Sequence, residues 1–113
     1  MRTLNLAAAL AVLAAPAAAE DTTWMLPPAG LYCPVGADVL PISIREGGRM
    51  GIDALDCAAV RLEGGRVWST ACYANGGSTV SYDTDFEVTP SGALMHDGVR
   101  FQRRVGPAPC PAG

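Results

Sequence analysis

The sequence predicts a small all-β domain that is stapled by two disulfides. Short β-branched and aromatic runs are separated by Gly-rich turns at close spacing, which is typical of consecutive β-hairpins. Four cysteines, an even number, indicate a disulfide framework in a small exported chain. We therefore expect an antiparallel up-and-down meander of six or seven strands that forms a curled sheet or a small barrel.

The first 19 residues have the pattern of a cleaved secretory signal peptide. Arg2 provides a positive charge, residues 4–15 form an Ala- and Leu-rich apolar run, and residues 17–19 match the small-x-small cleavage pattern after Pro16. A transmembrane anchor is the alternative, but a span needs about 20 apolar residues and this run is shorter. We therefore predict a periplasmic or secreted protein that has no membrane span after cleavage.

The mature chain, residues 20–113, is long enough for one small domain and ends in a Pro-rich C-terminal strap at residues 105–113. Its formal charge is −4, because cleavage removes one arginine from a chain of charge −3, and seven arginines then remain against eleven acidic residues. Nucleic acid is excluded as a partner, since phosphate contacts need clustered positive charge. We expect a monomer without a cofactor, whose partner is an unknown protein or a small polar ligand.

The two glycines at residues 64–65 predict one of the disulfides. A two-residue turn there, continued along both strands, places Cys57 opposite Cys72, within disulfide reach. Strict alternation makes this a hydrogen-bonded pair, whose Cα atoms lie further apart, and a bulge near Asp56 would relieve the difference. Pairing these two leaves Cys33 with Cys110, a bond that would tie the start of the domain to its tail and protect the end strands.

A zinc site is the alternative for the four cysteines. Structural zinc sites usually contain close pairs of the C-x2–4-C kind, whereas the nearest two cysteines here are 15 residues apart. The sequence therefore favours disulfides.

Three further turns extend the meander. A type I′ turn at residues 75–76 pairs Ala71 with Val80 and sends the apolar side chains of an alternating strand, residues 78–88, to the core. A second type I′ turn is predicted at residues 97–98, and five-residue loops at 45–49 and 89–93. The predicted apolar pairs are Leu94 with Phe101, Ile42 with Ile52, and Ile44 with Met50.

These registers leave Trp68 on the polar face, beside Arg61, Arg66 and Asp83; we name these four residues the Trp68 patch. Trp and Arg are frequent hot-spot residues at interfaces, so the Trp68 patch is the predicted binding surface. The alternative is that Trp68 stacks on Arg61 as a cation–π pair and is covered by residues 24–30.

Two metal hypotheses arise from the sequence. Acidic residues line one face of the strand at residues 78–88, but their spacing of about 6.8 Å is too wide for all three to share one Ca²⁺, and a solvated face with Asp85 opposite Arg66 is expected. Methionines and the single histidine are soft copper ligands, but they form no clustered motif. The residues concerned are Asp83, Asp85 and Glu87 for calcium, and Met25, Met50, Met95 and His96 for copper.

His96, the only histidine, is the one candidate for a general base, with Ser91 and Asp97 near it in sequence. Because His96 flanks a predicted hairpin turn, we expect it on the surface. The predicted site therefore contains no catalytic residue.

The layout resembles that of small disulfide-stapled periplasmic β proteins, a group that includes lysozyme inhibitors. The sequence contains no inhibitor motif. We expect an exported, non-enzymatic binding module, of which an inhibitor of another protein is one form. The alternatives are a periplasmic metal-binding protein for calcium or copper, and a small hydrolase.

Overall fold

The computed structural model describes residues 26–111, so the predicted signal peptide, Trp24 and Met25 lie outside the described residues. Ten antiparallel strands form one sheet. Within the described residues the helical structure is a short 3-10 turn, Asn75–Gly77. The strands are β1 (Gly30–Val35), β2 (Ile42–Arg45), β3 (Arg49–Ile52), β4 (Leu55–Ala58), β5 (Arg61–Glu63), β6 (Arg66–Tyr73), β7 (Thr79–Asp85), β8 (Glu87–Val88), β9 (Leu94–His96) and β10 (Val99–Arg103).

The sheet is a meander that curls back on itself, as the sequence predicts. Consecutive strands pair along most of the chain, β10 returns to pair with β1, and β4 and β5 both pair with β6. β7 pairs with β6 and β8 pairs with β9, with only Phe86 between β7 and β8. The two ends of the sheet are therefore joined through the chain, which curls the sheet into a half-barrel.

The strand count exceeds the prediction because two predicted strands are interrupted and one was not assigned. Ala59, at φ 52°, and Val60 separate β4 from β5, and Phe86 separates β7 from β8. Residues 30–35 form β1, which the turn pattern did not identify. The extended strands are otherwise in the predicted places.

The core lies on the concave face of the sheet. The pairs Ile44 with Met50 and Leu94 with Phe101 are in the predicted register and all four side chains are buried. Each fully buried aliphatic or aromatic side chain stabilises the fold by about 1.5–3 kcal/mol. The buried cluster consists of Tyr32, Ile42, Ile44, Met50, Ile52, Cys57, Val60, Val67, Cys72, Phe86, Leu94 and Phe101.

Cys57 and Cys72 form a disulfide in the predicted register, with Cα atoms 3.9 Å apart. This short distance resembles a non-hydrogen-bonded pair, not the wider pair that strict alternation predicts. The predicted bulge near Asp56 is wrong: β4 keeps its pairing there, and the irregularity lies at Ala59 and, on β6, between Ser69 and Cys72. At this level both strands reverse which of their alternating side chains face inward, so both cysteines point into the core.

The predicted pairing of Ala71 with Val80 is wrong, since Cys72 lies opposite Val80. The two-residue turn expected at residues 75–76 is instead a three-residue 3-10 turn, in which Gly76 and Gly77 both have positive φ. The β6 irregularity absorbs the extra residue. Val80 and Tyr73 are both exposed.

Ser69 stabilises this irregularity with its side chain. Its buried hydroxyl donates to the Ala58 carbonyl oxygen at 2.5 Å and accepts the Ala71 backbone N–H at 2.9 Å. A buried polar group without a partner costs about 1–3 kcal/mol. The hydroxyl therefore satisfies backbone groups that the irregular ladder does not.

We expect Ser69→Ala to lower the free energy of unfolding by about 1–3 kcal/mol, because both backbone groups lose their partner. Urea unfolding measures the change. Thr70→Ala, on the exposed face of the same strand, is the matched control and is expected to stay within about 0.5 kcal/mol of the parent. Equal losses in the two variants would contradict this role for Ser69.

Cys33 and Cys110 form the second predicted disulfide, which joins residues 77 apart in sequence. β1 already pairs with β2 on one side and β10 on the other, so this bond does not protect an edge strand as expected. It fastens the tail that follows β10 to β1. The two disulfides fit an oxidising, extracellular-type environment.

Candidate functional site

β6 presents Trp68 on the convex face of the sheet. The strand alternates strictly from residue 66 to residue 69, with Val67 and Ser69 buried and Arg66 and Trp68 exposed. β5 and β7 pair with β6 on either side and place Arg61 and Asp83 directly opposite Trp68. The structure therefore brings together all four residues of the Trp68 patch.

The neighbours of Trp68 are held in place by specific contacts. The guanidinium carbon of Arg61 lies 5.8 Å from the ring centroid of Trp68, a cation–π distance. Nε of Arg66 donates to Asp83 at 2.8 Å. Exposed ion pairs contribute only about 0–1 kcal/mol to stability, so this pair orients the two side chains more than it stabilises the fold.

A shallow cleft of about 260 Å³ runs beside the indole, between β6 and β7. Trp68 itself is 37% exposed, with its inner edge against the core. Thr70, Ser81 and Asp83 are among the residues that line the cleft. The surface thus combines an apolar ring with fixed donors and acceptors, a combination that suits recognition of a polar or protein surface.

Residues 24–30 are the alternative cover predicted for Trp68. In the part of this segment that the structure describes, residues 26–30, they lie elsewhere. Leu26 and Pro27 line a cleft with residues 44–48 at the β2–β3 turn, and Tyr32 donates to the Pro28 carbonyl at 2.7 Å. None of these described contacts is with Trp68. The predicted stacking of Arg61 on Trp68 is nevertheless present.

The predicted surface position of His96 is wrong. Its side chain is buried, because the β3–β4 turn folds across the inner side of β9. Nε2 lies 2.9 Å from Oδ2 of Asp53, and Nδ1 lies 2.9 Å from the backbone carbonyl oxygen of Asp85. Tyr82 donates to the same Asp53 oxygen. The sequence held one signal: Leu94 and His96 are two apart on one strand and therefore share the core face.

The two hydrogen bonds of His96 determine its protonation. A backbone carbonyl and a carboxylate are both acceptors, so the protonated ring, which has two N–H donors, satisfies both contacts at once. Burial alone would lower the pKa of His96, but its hydrogen bonds to Asp85 and Asp53 and the charges of both aspartates outweigh burial and raise the pKa above 6.5. His96 therefore joins β9 to β7 and to the β3–β4 turn, and these contacts favour its protonated form.

The pKa values of Tyr82 and Asp85, which lie around His96, are also shifted. Burial, together with the hydrogen bond to Asp53, raises the pKa of Tyr82 to about 12, so the phenol stays a donor. The backbone N–H of Asp97 donates to Asp85 at 2.9 Å and lowers the pKa of that carboxyl. Asp53 sits at φ 49°, a left-handed conformation that Asp adopts more readily than most residues.

The nucleophile–base arrangement of Ser91 and His96 that was considered from the sequence is not formed in the structure. Ser91 shares hydrogen bonds with Thr89 and Arg100, whereas His96 bonds to Asp53 and Asp85. These contacts do not place Ser91 and His96 in one hydrogen-bonded nucleophile–base pair.

The acidic face of β7 is occupied by local contacts. Asp85 is the Cα partner of Arg66, as predicted, but the ion pair of Arg66 goes to Asp83. Met50 lies in the core and Met95 is half-buried. Among residues 26–111, no group of three or more His, Cys, Asp or Glu side chains is close enough to hold a metal ion.

The fold and the patch define a small, disulfide-stapled all-β protein with an exposed aromatic surface. No family model matches the chain, and no curated protein or solved structure is similar enough to match it. Over the part of the chain that the structure describes, no helix has the length and apolarity to cross a membrane.

Proposed function

We propose that this protein is an exported, non-enzymatic binding module that docks a partner protein on the Trp68 patch. The observation that carries the proposal is a tryptophan exposed on a strand that is paired on both sides. A periplasmic or secreted location and a signal peptide at residues 1–19 belong to the same proposal. An inhibitor of another protein is one form that such a module takes.

Rigidity supports a docking role for this surface. Binding costs free energy for each side chain that must be ordered, and a tryptophan held by its strand has little freedom to lose. Arg61 and the pair Arg66 and Asp83 are likewise positioned before a partner arrives. Preorganised aromatic and arginine side chains at the centre of a patch are the usual hot spots of protein interfaces.

The test is capture of a partner from periplasmic extract by the parent protein and by Trp68→Ala. We expect the variant to lose capture by at least about tenfold, the effect of a hot spot worth about 1.4 kcal/mol or more. Tyr73→Ala is the matched control, because Tyr73 is exposed on the same strand outside the Trp68 patch. It is expected to capture as the parent does.

A second variant separates docking from packing, because the inner edge of Trp68 touches the core. Replacing Arg66 and Asp83 together by alanine removes an exposed pair and is expected to leave the melting temperature nearly unchanged while weakening capture. If Trp68→Ala melts lower with capture intact, and the double variant also captures normally, the patch has a packing role and the proposal fails.

A further inference from the structure

The arginines of this acidic protein are segregated by the kind of partner that they contact. Arg45 and Arg49 pair with Asp56, and Arg66 pairs with Asp83. The three arginines on β10 and just after it bond instead to neutral oxygens. These contacts are Arg100 to the Ser91 hydroxyl, Arg103 to the Ala29 carbonyl, and Arg104 to the Pro107 carbonyl.

Three arginines that are close in sequence thus make no ion pair with a described carboxylate. Among the described residues no carboxylate lies within 4.0 Å of their guanidinium groups, although the chain as a whole carries three more negative than positive charges. Like charges that lie near each other repel, and a bound anion would offset that repulsion. This arrangement points to an anion from outside the chain.

Two of the three arginines line one cleft of about 280 Å³, which we name the arginine cleft. The volume is near the lower end of the range of about 300–1,000 Å³ for small-molecule pockets, so it suits a small ligand. Its lining also includes a serine and a glutamine, whose hydroxyl and amide groups are able to donate hydrogen bonds. Its lining is Ser91, Gly92, Ala93, Arg100, Gln102 and Arg103.

Arg103 is fixed before any ligand binds. Its Nε and one terminal nitrogen donate to the Ala29 carbonyl oxygen at 3.0 and 2.6 Å. The guanidinium passes directly over Gly30, where a Cβ atom would lie 2.6 Å from Nε. A side chain at position 30 would displace the arginine, so the glycine leaves the space that the guanidinium occupies. A guanidinium group has five N–H donors. Because Arg103 uses only two of its nitrogens on the Ala29 carbonyl, other N–H groups remain for a ligand.

We propose that the arginine cleft binds a small oxyanion, a phosphate or carboxylate group. Arg100 and Arg103 supply the charge, and the Ser91 hydroxyl and the Gln102 amide supply further donors. Charge-assisted hydrogen bonds from arginine to such oxygens are about twice as strong as neutral ones. The site lies on β10 and the loop that precedes β9, apart from the Trp68 patch on β5–β7, and does not depend on the proposed docking function.

The experiment titrates the full mature protein with inorganic phosphate and, separately, with citrate, at constant ionic strength. The NMR signals of the arginine Nε–H groups report the site. We expect saturable shifts of the Arg100 and Arg103 signals, and about a tenfold weaker affinity in Arg100→Gln, the loss of one charged hydrogen-bonding group. Tighter binding of phosphate would assign phosphorylated ligands to the site, and tighter binding of citrate would assign carboxylates.

Arg49→Gln is the matched control, because it removes the same charge from an arginine that is paired with Asp56 elsewhere on the sheet. It is expected to keep the parent affinity. Ser91→Ala tests the cleft without changing charge and is expected to weaken binding. Equal weakening by Arg49→Gln and Arg100→Gln, or shifts that do not saturate with either anion, would overturn the proposal.

Discussion

Removal of the Cys33–Cys110 bond is expected to lower the free energy of unfolding by about 4–5 kcal/mol. The bond closes a loop of 77 residues, and cross-linking a loop of that length restricts the unfolded chain by about that amount in the chain-entropy model. The change is made as Cys33→Ala together with Cys110→Ala, which leaves no free thiol. Urea unfolding measures the loss.

The same variant is expected to open locally at the tail. The backbone N–H of Arg104 donates to the Leu31 carbonyl at 2.8 Å and joins the end of β10 to β1, beside the disulfide. Hydrogen exchange should therefore rise first at Arg104, while β6 and β7 stay protected until global unfolding. Val105→Ser, in the same exposed tail, is the control and should change neither measurement. Simultaneous exposure of Arg104 and the β6–β7 pair would contradict a local role for the bond.

Stability is expected to fall as the pH rises above 6.5, because the contacts of the buried His96 favour its protonated form. The folded state raises the pKa of His96 above its unfolded value of 6.5. Its contribution is therefore complete below pH 6.5 and is lost as the pH rises through the folded pKa. Within that window the loss is at most about 1.4 kcal/mol per pH unit. Urea unfolding between pH 5.5 and 9 measures it.

His96→Leu is expected to be less stable than the parent by about 1–3 kcal/mol at pH 6, because the Asp53 carboxylate and the Asp85 carbonyl lose a donor. It should also remove the pH dependence between 6.5 and 9, apart from the small effect of the terminal amine. The titratable groups around the ring are Asp53 and Asp85, which contact it, and Tyr82, which contacts Asp53. Asp38→Asn, which removes a carboxylate outside this contact, is the control and should keep the parent profile. A parent protein whose stability stays flat or rises above pH 6.5 would refute the imidazolium assignment.

Much of the register could be predicted because turn chemistry and side-chain alternation act over a few residues. Two consecutive glycines at residues 64–65 form a two-residue turn, and counting outward from it was enough to place Cys57 beside Cys72. The turn at residues 97–98 likewise paired Leu94 with Phe101. The Trp68 patch followed from the same counting, since alternation assigns each residue of a strand to one face.

Local rules were insufficient where two strands deviate together. Counting predicted a wide pair for the two central cysteines and an inward-facing Ala71, but Ala59 and the segment between Ser69 and Cys72 change phase at the same level. The deviation is stable because the Ser69 hydroxyl satisfies backbone groups on both strands. That compensation is a contact between strands, so neither segment contains it alone.

His96 and the arginine cleft depend on contacts between residues far apart in the chain. His96 meets Asp53, 43 residues away, only because the sheet curls until the β3–β4 turn reaches the inner side of β9. Arg103 meets Ala29, 74 residues away, because β10 returns to pair with β1. Turns and alternation specify which strands neighbour each other and which face each side chain takes. The degree of curl, which decides what lies across the interior, results from packing the whole core at once.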